Sequence, residues 1–235
     1  MQIAVWPDPA SQALGRLAAE TVGASPVTVA PYEAWPQLAA GAVDLALVPT
    51  LAVLRQPDLF SVVPGTGLAG SASPTLALRL SGPLDRVERI AFDPRFAQEA
   101  LLAQLVLRES YGASPSFVPI QEGASLPGNL DGALVHAGAA TDDGLVLDLG
   151  REWADLTSRP MVWGLLAARR DTLNEAAAVA LRDAAAEADG RGDLGAFQLS
   201  LGGYAHAGLE ALTDHLFFTG TLDSVPDVPF LTLPE

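Results

Sequence analysis

Few side chains in this sequence are suited to chemistry, and their positions narrow what that chemistry can be. His136 closes the apolar run Gly132–Val135, which reads as a strand. A free imidazole titrates at about pH 6.5, so at a strand end it can take up or deliver a proton near neutrality. A histidine there serves equally well as a hydrogen-bonded structural residue. Asp8 follows the first apolar run, Ile3–Val5, at the carboxyl end of a predicted strand, where open α/β sheets place their ligands. It also stands before Pro9, as a helix N-cap would. Arg95 lies where a helix begins, so its guanidinium and the free amides of the first turn can hold a carboxylate together. His206 and His215 fall on a predicted C-terminal helix and read as core or surface positions. With the histidines scattered and no carboxylates at ligand spacing, no metal site is expected.

Charge and composition exclude several function classes. The 28 acidic residues outnumber 13 basic ones, all of them arginine, for a net charge of −15. Nucleic-acid binding needs a counter-charge to phosphate and is not expected. Without lysine there is neither Schiff-base chemistry nor a P-loop. Without cysteine there are no disulfides, thiolate zinc sites or thiol nucleophiles. No Gly-x-Ser-x-Gly elbow occurs. Gly65, Gly67 and Gly70 spell a G-x-G-x-x-G string, but no helix follows it, so a dinucleotide site is rejected. No apolar run approaches the roughly 20 residues that span a bilayer, and the first residues carry no basic leader. A cytoplasmic protein is the expectation.

These residues must be positioned by the elements around them. Ile3–Val5, Val27–Val29 and Val43–Val48 read as strands, alternating with helices over Pro9–Val22 and Tyr32–Ala40. That order implies parallel pairing through right-handed crossovers. Phe60–Val63, Gly67–Gly70 and Leu76–Leu80 are apolar segments broken by Pro64-Gly65 and by Ser71–Pro74. A second set follows: strand Arg89–Phe92, helix Phe96–Ser110, then strands Ser116–Val118, Gly132–Val135 and Val146–Asp148. Met161–Ala168 reads as a buried return strand. Thr172 and Glu175 have capping-box spacing before a helix that Gly190 and Gly192 stop. Helices over Leu194–Leu201 and His206–Phe218 and an extended tail, Pro226–Pro234, complete the pattern.

A chain that leaves one α/β set, builds another and returns predicts a two-lobed, periplasmic-binding-protein-like fold of type II. Two crossover strands would join the lobes and ligand would sit between them. Lobe 1 is expected over residues 1–76 and 162–235 and lobe 2 over 77–161. A single doubly wound sheet is the other arrangement the pattern allows.

Several segments resemble the chorismate dehydratase family of the futalosine route to menaquinone. Asp44–Thr50 is similar to that family's Asp-x-Ala-Leu-x-Pro-Ser segment, and Gly82–Asp85 through Ile90–Asp93 follows its spacing. Asp148-Leu149-Gly150-Arg151-Glu152-Trp153, continuing through Arg159–Gly164 to Arg169, is similar to its most specific block, and Ala207–Glu210 suits its final helix. The resemblance implies the two-lobed fold and a carbon–oxygen lyase that removes water from chorismate to give an enolpyruvyl-benzoate. It implies no metal or organic cofactor, and a small carboxylated ring compound as ligand. Thr50 and Thr75 stand at the family's serine positions and would donate to ligand oxygens. Pro94-Arg95-Phe96-Ala97-Gln98 replaces its Ser/Thr-rich loop, which makes Arg95 and Gln98 the candidate carboxylate binders. Val5-Trp6-Pro7-Asp8 and His136-Ala137-Gly138 replace two further ligand-facing motifs. Ser71 and Ser73 lie in the first crossover, where they would line the cleft or serve the hinge. Trp6 would stack on a ring or cap the core, and Trp153 and Trp163 read as packing residues. The group that removes the proton is open between His136, Asp8 and a carboxylate of the substrate. A non-catalytic carboxylate-binding protein of the same fold is the alternative, and a third is an interaction protein whose cleft apolar residues such as Phe96 fill. The oligomeric state is open.

Overall fold

Caps and breakers set the element boundaries in this computed structural model, which describes residues 1–121, 130–139, 144–170 and 172–232. The chain opens with β1 (Gln2–Val5), α1 (Pro9–Val22), β2 (Ser25–Thr28), α2 (Pro31–Ala39), β3 (Leu45–Pro49), α3 (Thr50–Arg55) and β4 (Phe60–Gly70). Next come β5 (Leu76–Leu80), β6 (Arg89–Phe92), α4 (Ala97–Tyr111), β7 (Ser116–Pro119), β8 (Gly132–His136), β9 (Leu145–Leu147) and α5 (Leu149–Thr157). It closes with β10 (Met161–Arg169), α6 (Glu175–Gly190), β11 (Phe197–Ser200) and α7 (Gly203–Phe218). Asp8 caps α1 by accepting from the Ser11 amide at 2.9 Å, with Pro9 at the first helical position. Asp148 caps α5, its Oδ1 accepting from the amides of Gly150 and Arg151 at 2.9 and 3.0 Å.

The chain divides into two units, Met1–Gly70 with Pro160–Glu235, and Ser71–Arg159. Each has its own sheet, so the single doubly wound sheet is excluded. The first sheet has the order β11-β4-β10-β3-β1-β2. β1, β2 and β3 are parallel, while β10 runs against both β3 and β4, and β11 runs against β4. Gly70 pairs with Met161, so the points where the chain leaves this unit and returns to it are neighbours in one sheet. On one face, Ala34 and Leu38 of α2 and Ala205 and Leu209 of α7 pack with Ala4, Ala46, Val48 and Val162 of the strands. α1 packs on α6 and both pack on other strands of the same sheet. Trp6 is 1% exposed, and its indole N–H donates to the Leu47 carbonyl at 2.8 Å. Its ring lies 3.0 Å from where a Cβ on Gly164 would stand. Trp6 therefore belongs to the core, where a buried ring of this kind contributes about 1.5–3 kcal/mol.

The second sheet has the order β7-β6-β8-β5-β9. β6 is parallel to β7 and β8, whereas β5 runs against β8 and β9. α4 packs on α5, and α5 on β5. Tyr111 at the end of α4 donates to Glu152 of α5 at 2.6 Å, and that bond holds the phenol proton until about pH 12. Trp153 is fully buried in this unit and Trp163 in the first.

Three local expectations are corrected. Leu194–Leu201 is not a helix; it contains β11, an edge strand held by Asp189, whose carboxylate accepts from the amides of Leu199 and Ser200 at 2.7 and 2.8 Å. Pro64-Gly65 does not end a strand. β4 runs through it, and the register against β10 shifts there, with Gly65 at φ +66°, so the pair encodes a bulge. The cap of α6 is Asn174, accepting from the Ala177 amide at 2.8 Å, while Thr172 donates to the Arg169 carbonyl at 2.7 Å. The tail meets Val62 through Phe230 in a parallel bridge; the end of the predicted extended segment lies outside the described residues.

Candidate functional site

The sheet of the second unit brings four predicted residues, and a fifth that was not predicted, to one edge. β6 and β8 run parallel and end at Phe92 and His136, and antiparallel β5 begins beside them, with Leu76 opposite His136. Thr75 immediately precedes β5, and its carbonyl accepts from the Ala137 amide at 2.9 Å. The turn Pro94–Phe96 follows β6 and opens α4, carrying Arg95, Gln98 and Glu99. Thr75, Arg95, Gln98, Glu99 and His136 therefore gather at the carboxyl ends of the parallel strands, the edge at which such sheets bind ligands.

Each of these groups has a defined setting. His136 is exposed, with its ring meeting the edge of Phe96 at a centroid distance of 6.0 Å and 89° between planes. Arg95 forms a forked pair with Asp93: its Nε lies 3.0 and 2.9 Å from the two carboxylate oxygens, and its own amide caps against the same group. The hydrogen bonds from Arg95 hold the Asp93 carboxyl below its ordinary range. Gln98 is buried. Thr75 is partly buried, and its hydroxyl donates at 2.6 Å to Glu99, which is 4% exposed. Burial pushes the Glu99 carboxyl up, and hydrogen bonds from Thr75 and its own amide only partly offset this.

Sequence reading missed Glu99. Its signal was present: Glu99 stands three and seven residues before Leu102 and Val106, both buried on α4, so helical spacing turns this carboxyl toward the apolar face. Ser71 is exposed, whereas Ser73 is buried. The Ser73 amide donates to Asp148 at 3.0 Å, and its hydroxyl has no hydrogen-bond partner among the described residues.

Asp8 and Thr50 belong to the first unit. Both lie at the carboxyl ends of parallel strands there, β1 and β3. Both side chains are engaged: the two Asp8 oxygens accept from the amide and hydroxyl of Ser11, and Thr50 donates to the Val162 carbonyl at 2.7 Å. That unit also carries a groove of about 770 Å³ between α1, α6 and the approach to β11. Ala13, Leu17 and Phe197 line it with Arg16 and Arg191, and it contains none of the predicted site residues. Among the described residues no group of three or more His, Asp or Glu side chains is placed to hold a metal ion, and no helix is long and apolar enough to cross a membrane.

The sequence profile of the family described as "Menaquinone biosynthesis" matches residues 14–195. The chain belongs to that family. Solved structures similar to this menaquinone biosynthesis family member agree on the fold. Protein AF1704 from Archaeoglobus fulgidus aligns with a TM-score of 0.65 at 19% identity, covering 94% of this chain and 98% of that one. An ABC transporter structure from Parabacteroides distasonis gives 0.61 at 15% identity over 100% and 98% of the two chains. The periplasmic aliphatic sulphonate binding protein SsuA from Escherichia coli gives 0.58 at 14% over 97% and 95%. No curated protein matches the chain. This family member thus has the two-lobed, type II periplasmic-binding-protein-like fold, and its place in menaquinone biosynthesis follows from the family.

Proposed function

We propose that this member of the menaquinone biosynthesis family is a chorismate dehydratase, binding chorismate at the strand-end edge of the second unit and converting it to an enolpyruvyl-benzoate and water. The observation that carries the reading is the gathering of Arg95, Gln98, Thr75 and His136 at that edge in a chain of this family. Arg95 and the first amides of α4 receive a ligand carboxylate, which competes with Asp93 for the guanidinium fork. Thr75 and Gln98 supply the polar contacts that orient the ring.

The reaction is an elimination. A ring C–H proton passes to a base, its electron pair becomes the new ring double bond, and the neighbouring C–O bond breaks. The leaving oxygen takes up a proton and departs as water, and the ring becomes aromatic. Nothing is oxidised or reduced overall. His136 is the base we favour over Asp8, because both Asp8 oxygens already accept from Ser11 while His136 is open to solvent. The imidazolium so formed then returns its proton to the leaving hydroxyl.

One observation favours a second reading, a carboxylate-binding protein without catalysis: Arg95 and Thr75 already have partners in Asp93 and Glu99. Incubating the purified protein with chorismate while following melting temperature and product separates the two. Product formation supports the dehydratase. Stabilisation without product supports the binder. Neither effect would sink both.

A further inference from the structure

Glu99 is a buried carboxyl at the edge where a carboxylate ligand is expected, and among the described residues no cation balances it. It is 4% exposed and 2.6 Å from the Thr75 hydroxyl. Thr75 is only partly buried, so of the two it is Thr75 that opens to solvent. The charged and titratable groups around the couple are accounted for among the described residues. Asp93 and Arg95, on the turn before α4, neutralise each other. His136, at the end of β8, lies against Phe96. Asp148, at the start of α5, accepts from the amides of Ser73, Gly150 and Arg151. What shifts Glu99 is burial and hydrogen bonding alone, with no charge partner contributing.

We infer that the Thr75–Glu99 couple sets the charge of the ligand group received at this edge, a carboxylate binding there only while Glu99 is protonated. Glu99 is buried, so its charge is poorly screened and repels a second carboxylate held beside it, and the pair is accommodated when one of them carries a proton. A protonated Glu99 can also donate to Thr75, which frees the Thr75 hydroxyl to donate outward to a ligand oxygen. Once ionised, Glu99 draws that hydroxyl inward and presents a negative charge instead. This rests on the same edge as the proposed function but needs no dehydration step. It makes carboxylate binding proton-linked, with affinity falling as pH rises through the titration of Glu99.

The test uses the full chain with benzoate and chorismate as probes, and binding read by ligand-observed NMR between about pH 5 and pH 9. Linkage to one proton weakens binding by at most about tenfold for each pH step of one. The parent protein should show a slope approaching that limit, and Glu99→Gln, neutral throughout, should bind the same probe with a nearly flat profile. Thr75→Val, which keeps Glu99, should weaken binding at every pH and still show a pH slope. A parent whose saturable binding does not vary with pH overturns the inference, as does a slope that survives in Glu99→Gln, or no binding of either probe at any pH. Chorismate turnover, measured separately, tests the dehydratase reading: pH-linked binding without turnover leaves this inference standing and removes that one.

Discussion

Phe96 meets His136 edge to face, with ring centroids 6.0 Å apart. The contact joins the turn after β6 to the end of β8, and it fixes one side of the imidazole while the residue stays exposed. His136→Asn removes the proposed base at a site with little burial to lose. The expected result is a fall of about 10²–10⁴ in kcat, with unfolding free energy unchanged within about 0.5 kcal/mol. Steady-state kinetics and a denaturant melt read the two numbers.

Arg95→Gln separates binding from stability. A charge-assisted bond to a ligand carboxylate is worth about 1.5–3 kcal/mol, so KM should rise by about 10–100-fold. The pair with Asp93 is exposed and should contribute less than about 1 kcal/mol. Asp93 has its folded titration lowered by Arg95. Its contribution is therefore present above the unfolded value, about 3.9, and is lost as pH falls through the folded one. Unfolding free energies of parent and variant should converge in acid.

Glu99 has the opposite sign. Its folded titration is raised by burial, so above the unfolded value the unfolded chain releases a proton that the folded chain keeps. Stability from this group is fully present in acid and declines with rising pH until Glu99 ionises in the folded protein. Glu99→Gln should match the parent near pH 4 and be the more stable of the two near pH 8, as read by urea unfolding at both values.

Gly67→Ala probes the packing of the first unit's sheet. A Cβ there would stand 2.4 Å from the Gly164 carbonyl oxygen and 3.0 Å from Leu201. Backbone cannot retreat as a side-chain tip can, so a loss of about 1–3 kcal/mol is expected. For a chain of this size each kcal/mol lowers the melting temperature by about 2–4 °C, which calorimetry resolves.

Much of this architecture was legible because local signals and tertiary structure agree. Asp8-Pro9 marked the start of α1, and the apolar spacing of Leu102, Leu105 and Val106 marked α4. Strands alternating with helices announced parallel sheets. What escaped was decided by distant partners. Leu194, Phe197 and Leu201 have helical spacing, yet β4 and the Asp189 carboxylate make residues 197–200 a strand. Pro64-Gly65 signals a break, but β10 continues alongside and turns it into a bulge. In the candidate site, strand ends identified Asp8 and His136 as positions, and Asp8-Pro9 also announced the cap that engages Asp8, whereas the partners of the other residues were invisible. That Arg95 is forked onto Asp93 and that Thr75 meets Glu99 across 24 residues of sequence are facts of folded contacts.

The most direct measurement follows chorismate by proton NMR in the presence of catalytic amounts of the protein. Aromatic ring signals of an enolpyruvyl-benzoate should grow in at a rate proportional to protein concentration, and His136→Asn should slow them by at least about a hundredfold. Chorismate recovered intact, or converted equally fast by that variant, would contradict elimination at the edge formed by Thr75, Arg95 and His136.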